Sequence, residues 1–436
     1  MTAPNSRDAS IHRTIEAVWR IESAKIIGGL TRLLRDVGVA EELAQDALVA
    51  ALEQWPSSSV PDNPGAWLMA TAKHRAIDHI RRRALHANKE GELTFEIEQQ
   101  LADAAPDLTA RIDAMFDDPL GDDMLRLMFI ACHPVLSTQA RVALTLRMVG
   151  GLTTDEIARA FLTAEPTIAQ RIVRAKRTLA ESRIPFELPA PSDLVLRVSS
   201  VLEVLYLVFN EGYSATAGED WVRPGLCEEA LRLGRILAER IPDESEVHGL
   251  VALMEIQASR LRARVDADGA PILLMDQDRS RWDRLLIGRG LSALERAQRT
   301  SDSAGLGPYA LQASIAACHA RALTSEATDW ARIAALYDAL GQVAPSPVVE
   351  LNRAVAVSMA YGASAGLEIV ERLRLSGELG AYHLLPSVRG DLLRKLGRLK
   401  EARDEFERAA SLTRNVKERD LLQRRAVECA SGTPSH

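Results

Sequence analysis

Residues 151–183 read GLTTDEIARAFLTAEPTIAQRIVRAKRTLAESR, which predicts two short helices joined by a tight turn at 162–165. Thr153 and Glu156 have the spacing of a capping box, in which each side chain bonds the other residue's backbone N–H. Pro166 suits the first turn of the second helix, where a backbone N–H has no partner. That helix then has an apolar stripe at intervals of four, three and four residues: Ile168, Ile172, Ala175 and Leu179.

The other face of the second helix is basic and carries an amide. We predict that the following residues point outward: Gln170, Arg171, Arg174, Lys176 and Arg177. A short helix with a buried stripe and such a face suits the major groove of DNA. An ordinary helical hairpin with a solvated basic face is the alternative, and this stretch alone does not decide between them.

The whole chain sets limits on these interpretations. Its 436 residues are enough for roughly three domains, and its net charge of −7 means that nucleic acid would have to bind at local basic patches. Four widely separated cysteines with no CxxC argue against a zinc site or a disulfide framework and fit a reducing compartment. Without a signal peptide or a membrane-span pattern, we expect a cytoplasmic protein with no metal or cofactor.

The N-terminal part predicts three helices. The first covers 11–37 and ends at Gly38, the second covers 40–55, and a loop at 56–64 precedes a third at 67–83. The second helix is expected to expose an acidic patch of Glu41, Glu42, Gln45 and Asp46. The third helix reads WLMATAKHRAIDHIRRR, and its basic residues could neutralise phosphates beside an aromatic that supports an unstacked base. Alternatively, its cations only offset the helix dipole.

These motifs in this order resemble the extracytoplasmic-function (ECF) branch of the sigma-70 family of RNA polymerase sigma factors. Residues 39–55 resemble the second conserved helix, 67–83 resemble the helix that reads the −10 element and melts the promoter, and 151–183 resemble the −35-reading helix-turn-helix. The sequence departs from the family pattern at Met69, where an aromatic is common, and at Pro166, where Gly is frequent.

The resemblance implies an all-α protein with no catalytic site. Residues 1–85 would form region 2, 86–120 a flexible acidic linker and 121–187 region 4. The resemblance assigns binding of the β′ clamp of core RNA polymerase to the acidic patch on the second helix. It assigns promoter DNA to region 4 at Thr167, Gln170, Arg171, Arg174 and Arg177, and to region 2 at Lys73, His74, Arg75, Asp78, Arg81 and Arg82.

Two interpretations of the linker stay open. In sigma factors the corresponding segment threads into channels of the polymerase, where an acidic run could mimic nucleic acid. The run here comprises Asp113, Asp117, Asp118, Asp122 and Asp123. A solvated tether is the alternative.

A Pro-rich boundary precedes the last part of the chain, which we expect to be a helical array over residues 193–430. The best copy of a tetratricopeptide (TPR) spacing is Gly390, Leu393, Gly397, Ala402, Phe406 and Ala409. The helix at 195–209 is apolar on more than one face, which predicts packing on the preceding domain. Residues 207–221 and 266–283 do not fit the repeat, and 266–283 lacks the Gly and Glu positions of a calcium loop. This large TPR-like extension resembles the extension found in one group of ECF sigma factors.

Three functions can be compared. A transcription initiation factor accounts for both DNA-reading motifs and for the acidic patch. A free-standing DNA-binding regulator whose repeats bind a ligand would not need that patch beside a melting helix. An enzyme with a helical lid is disfavoured because the sequence lacks a P-loop, GxGxxG, HExxH or GxSxG motif. The extension could regulate the factor or be a structural part of it, with a protein or a ligand as its partner.

Overall fold

The computed structural model describes residues 6–88, 122–161, 163–215, 217–301 and 305–431. Within these ranges the chain is nearly all helical, which confirms the predicted all-α class. The chain divides into two compact units, residues 1–204 and 205–436, and the division falls inside one helix. The domain boundaries given above stay predictions, and the linker with Asp113, Asp117 and Asp118 lies outside the described residues.

The first unit begins with three helices: α1 (Ser6–Leu34), α2 (Val37–Ser58) and α3 (Pro64–Asn88). The predicted end of the first helix at Gly38 is wrong. α1 stops at Leu34, Arg35 takes a positive φ of 55°, and Asp36 caps α2 by accepting the N–H groups of Gly38 and Val39. The aspartate supplies an N-cap that the glycine cannot. Gly38 therefore lies in the first turn of α2.

The predicted loop between the second and third helices is also too long. α2 continues through Pro56 to Ser58, and α3 starts at Pro64, where a proline needs no N–H partner. Leu68, Ala72 and Ala76 form the buried stripe of α3. The buried Trp55 closes this core, and its ring meets that of Trp67 edge-on at 5.4 Å.

Four helices follow the linker: α4 (Asp122–Ala131), α5 (Thr138–Met148), α6 (Thr154–Ala160) and α7 (Glu165–Glu181). α8 (Pro191–Tyr213) comes next and contains the division between the units. In the first unit, α8 is held on α4 and α5. Arg197 donates to the carbonyl of Phe129 at 2.7 Å, and Glu203 pairs with Arg141 at 2.9 Å. Val195 is 65% exposed, so the predicted packing of this apolar helix on the preceding domain is wrong at its start.

The second unit consists of stacked helices. After the second half of α8 these are α9 (Pro224–Arg240), α10 (Ser245–Ala258), α11 (Arg284–Thr300), α12 (Pro308–Arg321), α13 (Trp330–Val343), α14 (Pro347–Tyr361), α15 (Ala363–Ser376), α16 (Leu384–Lys395), α17 (Leu399–Leu412) and α18 (Val416–Ser431). Successive helices pack on one another. The predicted hairpin is α16–α17, where a Cβ on Gly390 would come within 2.9 Å of the buried Phe406 ring. Whether these pairs are TPR repeats in origin stays a prediction.

The segment 266–283, which did not fit the repeat, has a structural role. Asp266 accepts the N–H groups of Asp268 and Ala270, so the calcium-like start is a turn. Arg279 is buried, and it donates to the carbonyls of His319 and Ala322 at 2.9 and 2.8 Å. Burial, together with the cations of Arg260 and Arg279, lowers the pKa of His319 to about 3, so that side chain stays neutral. Through Arg279, the segment 266–283 is thus attached to the C-terminal end of α12.

The other unusual segment, 207–221, pairs with the short connection between α17 and α18. A two-residue strand, β1 (Ala217–Gly218), runs parallel to β2 (Arg414–Asn415). Asn415 is 1% exposed and donates to the carbonyls of Ala215 and Asp220. Arg264 stacks 3.7 Å from the centre of the Tyr213 ring. The strand pairing and the bonds of Asn415 connect the start of the second unit with its end.

Candidate nucleic-acid interface

The helix-turn-helix is set by local hydrogen bonds, as the sequence predicts. The Thr153 hydroxyl accepts the N–H of Glu156 at 3.1 Å, and the N–H of Thr153 donates to the Glu156 carboxylate at 2.8 Å, which confirms the capping box. Arg20 of α1 donates to the same carboxylate at 2.5 Å. Burial raises the pKa of Glu156, but the bonds from Thr153 and the nearby Arg20 outweigh it and leave the pKa below its usual value.

α7 presents most of the predicted basic face to the outside. Its stripe of Ile168, Ile172, Ala175 and Leu179 is buried. Thr167, Gln170, Arg174 and Arg177 are exposed, and Arg171 is half-buried. Arg177 pairs with Glu181 on the same helix at 2.7 Å, whereas no ion pair to Arg171 or Arg174 is found within the described residues.

The outer face of α7 lines a cavity of about 340 Å³. Thr167, Gln170, Arg171 and Arg174 form one side of it, and the segment from Val135 to Ala140 forms the other. Arg177 lies outside this cavity. The opposite wall was not predicted, because nothing in the local sequence of residues 135–140 shows that they face α7.

Lys176 does not belong to the outward face, contrary to the prediction. Its side chain is 16% exposed, and its ammonium group bonds the carboxylate of Glu41 in α2. Arg147 of α5 donates to the other oxygen of that carboxylate at 2.9 Å. The predicted exposure of Glu41 is therefore wrong, because two cations from α5 and α7 enclose it. We call these three residues the Glu41 cluster.

The predicted −10 helix has a continuous polar face. His74, Asp78 and Arg82 are exposed at intervals of four residues on α3, so they lie on one side of the helix. Lys73 and Arg81 are half-buried beside this face. Trp67, also half-buried, precedes His74 by seven residues on the same side, which places an aromatic ring at the start of the face.

The predicted polymerase patch on α2 adjoins this face. Glu42 and Asp46 are exposed and Gln45 is half-buried. Asp46 comes within 3.6 Å of Arg75. A residue that is predicted to bind the polymerase and one that is predicted to bind DNA therefore form an ion pair. Because both side chains are about half-exposed, the pair is weak and either residue can exchange it for another partner.

Cys132 and His133 have structural partners. The Cys132 thiol lies 3.2 Å from the Thr145 hydroxyl, and burial raises its pKa to about 12. His133 accepts the N–H of Val135 through Nδ1. Partial burial, with the cation of Arg197, lowers the pKa of His133. Within the described ranges no three His, Cys, Asp or Glu side chains are grouped as metal ligands would be.

Three family models match parts of the chain. Sigma-70 region 2 matches residues 22–85, and Sigma-70, region 4 matches residues 126–179. A family of unknown function, DUF6596, matches residues 197–298. The first two matches contain most of α3 and of α7, the helices that carry the two polar faces described above.

Related proteins agree with these matches. The uncharacterized protein R00370 of Rhizobium meliloti (strain 1021) is 45% identical over 394 residues, which cover 90% of each chain. The probable ECF RNA polymerase sigma factor SigI of Mycobacterium tuberculosis (strain ATCC 25618 / H37Rv) is 26% identical over 224 residues, covering 50% of this chain and 73% of SigI. The ECF RNA polymerase sigma factor SigK of Mycobacterium ulcerans (strain Agy99) is 27% identical over 194 residues, covering 41% of this chain and 96% of SigK. No solved structure matches the chain.

A helix-turn-helix and a second helix with a polar, partly basic face define a DNA-binding protein of the sigma-70 type. The chain belongs to the ECF branch of the sigma-70 family and carries DUF6596 as a C-terminal extension. It is a transcription initiation factor that binds core RNA polymerase and promoter DNA, and it is not an enzyme. Within the described residues no helix is long and apolar enough to cross a membrane.

Proposed function

We propose that α7 reads the −35 element and that α3 reads and helps to open the −10 element. The outward face of α7 carries this proposal, because Gln170, Arg171 and Arg174 line one cavity and neither arginine is tied up in an ion pair of the described residues. Arginine and glutamine side chains can make bidentate bonds to base edges in the major groove. Arg177, one turn further along, contacts phosphate.

On α3 the exposed His74, Asp78 and Arg82 face the DNA, and Lys73, Arg75 and Arg81 support this contact. Opening a duplex costs a few kcal/mol for each unstacked base, so an aromatic surface beside the opened strand is useful. The half-buried Trp67 at the start of the face supplies such a surface.

Core polymerase docks on Glu42, Gln45 and Asp46 of α2. Glu41 is not part of this docking surface, because Arg147 and Lys176 enclose its carboxylate. Exposed charges each contribute little, so docking depends on the group and not on one residue. The chain then acts in the cytoplasm, where the polymerase and its promoters are.

Reading both elements requires the contact between α2 and α7 to open. The −35 and −10 elements are centred roughly 25 base pairs apart, which is about 85 Å of duplex at 3.4 Å per base pair. In the first unit α7 contacts α2 through Lys176 and Glu41, so the two DNA-reading helices are too close for both elements. Polymerase binding separates them.

The extension acts as a structural part of the active factor. The first half of α8 covers α4 and α5 through Arg197 and Ser200, whose hydroxyl donates to the Cys132 carbonyl at 2.5 Å. Loss of these residues would uncover the buried ring of Phe129 beside the region 4 core. A purely inhibitory extension would not need to complete the core of the DNA-reading domain.

Footprinting of the holoenzyme on its own promoter tests the −35 assignment. Arg171→Ala should cost roughly 1–3 kcal/mol of binding and relax the base preference at one position of the −35 element. Arg159→Ala is the matched control, because Arg159 is exposed on α6 and pairs locally with Asp155. If Arg171→Ala binds and discriminates as the control does, α7 does not read this element.

A further inference from the structure

The second unit has a groove of about 1050 Å³ that lies over α10. α9 and α11 both pack on α10 and form the two walls of the groove. The buried side chains of His248, Val251 and Glu255 form its floor. This volume is large enough for several side chains of a bound segment.

Four arginines line the groove, so we call it the arginine groove. One of them, Arg235 on α9, donates to Glu255 at 2.9 Å and is neutralised by it. Arg284, Arg289 and Arg296 of α11 are exposed, and the described residues provide no ion pair for any of the three. The only other lining carboxylate is Glu239, so cations exceed free carboxylates by three to one within the described lining.

The walls of the groove are also partly apolar. Leu285 is 63% exposed beside the arginines, and Ala238 and Pro242 lie on the opposite side. Gly288 leaves further room, because a Cβ at this position would have no atom within 4 Å. An exposed leucine within a cationic groove indicates an occupant that has both acidic and apolar side chains.

The spacing of the arginines restricts the occupant further. Arg289 and Arg296 lie seven residues apart on one side of α11, which is about 10 Å at 1.5 Å per helical residue. In a peptide with a polyproline II backbone, which has three residues per turn, residues three positions apart lie on the same side and span nearly the same distance, about 9 Å at 3.1 Å per residue. Guanidinium groups bind carboxylates through two parallel hydrogen bonds.

We propose that the arginine groove binds an acidic peptide segment of a partner protein in the polyproline II conformation. Two carboxylates three positions apart pair with Arg289 and Arg296, and an apolar residue beyond the carboxylate that pairs with Arg289 contacts Leu285, one helical turn before that arginine. A peptide is favoured over nucleic acid because Glu239 and Glu255 line the same groove and its walls are partly apolar. Both features suit a mixed peptide better than a continuous row of phosphates.

Selection from a random octapeptide display library on the full-length chain tests this proposal. The selected peptides should be enriched in Asp or Glu three positions apart, and the best one should be measured by fluorescence polarisation beside its Gln/Asn counterpart. We expect at least tenfold weaker binding for the counterpart and for the double variant Arg289→Glu/Arg296→Glu. Gly288→Trp should block binding by filling the groove.

Two matched controls keep the test independent of folding. Arg299→Glu makes one such Arg-to-Glu exchange, half the charge change of the double variant, on an exposed position of α11 outside the groove, and Gly341→Trp adds the same ring at an open position of α13. Both should bind within twofold of the wild type. The proposal would be overturned if the selected peptides were not enriched in acidic residues, or if the controls lost as much peptide affinity as the groove variants. Stronger competition by the oligonucleotide dT12 than by the peptide would also overturn it, in favour of nucleic acid.

Discussion

Replacing Glu41 by alanine should destabilise the contact between α2 and α7. The side chain of Glu41 is 6% exposed, while those of Arg147 and Lys176 are 17% and 16% exposed. Removal of the carboxylate leaves two poorly hydrated cations next to each other. Glu41→Gln keeps the shape and one hydrogen-bonding oxygen, so its effect should be smaller.

The magnitude follows from the burial of the three groups. Breaking a buried ion pair by removing one partner costs about 3–5 kcal/mol. Because both cations keep some contact with water, we expect a cost at or below the lower end of this range, about 2–3 kcal/mol. At about 1.36 kcal/mol per factor of ten, local opening should become roughly 30- to 160-fold more frequent.

Amide hydrogen exchange on the full-length chain measures this opening. Peptides from α2, α5 and α7 should exchange faster by this factor in Glu41→Ala, because they share the cluster. Peptides from α17 and α18 in the second unit serve as an internal reference and should not change. Glu42→Ala is the matched control, since Glu42 is exposed and should alter exchange by less than about twofold.

A uniform change in all peptides, or equal exchange in Glu41→Ala and Glu42→Ala, would refute the reasoning. The first result would mean that the substitution unfolds the chain as a whole. The second would mean that the Glu41 cluster does not hold α2 and α7 together.

Three further predictions concern opening and the extension. Gly38→Cys/Lys176→Cys should form a disulfide, since a Cβ on Gly38 would lie 3.9 Å from that of Lys176. The oxidised form should lose promoter-specific transcription and regain it on reduction. Equal activity in the oxidised and reduced forms would show that the contact between α2 and α7 does not have to open. Lys73→Ala/His74→Ala should slow open-complex formation more than it weakens closed binding; normal permanganate reactivity at the start site would contradict this. Truncation after residue 189 should lower transcription at matched polymerase occupancy, whereas higher output would indicate an inhibitory extension.

Local interactions in the first unit could be predicted from the sequence. The capping box of Thr153 and Glu156 and the stripe from Ile168 to Leu179 depend on residues within one or two helical turns. Their spacing in the chain is therefore sufficient information. The hairpin in which Gly390 approaches Phe406 joins two successive helices, and the repeat spacing of its residues predicted it.

The contacts that were missed join residues far apart in the chain. Glu41 and Lys176 are separated by 135 positions, and no local pattern connects them. One signal was present, because Glu41 lies four residues after Val37 and three before Ala44, on the buried stripe of α2. A charged residue on such a stripe needs a partner when it is buried. The partner itself could not be named from the sequence.

Transcription with purified core RNA polymerase tests the central claim most directly. The full-length chain and core enzyme should produce transcripts with defined 5′ ends from a genomic promoter pool, and core enzyme alone should not. Arg171→Ala/Arg174→Ala should abolish or redirect these transcripts while still co-purifying with the polymerase. If the wild-type chain adds no defined start sites, or if the double variant uses the same sites equally well, α7 does not direct promoter choice.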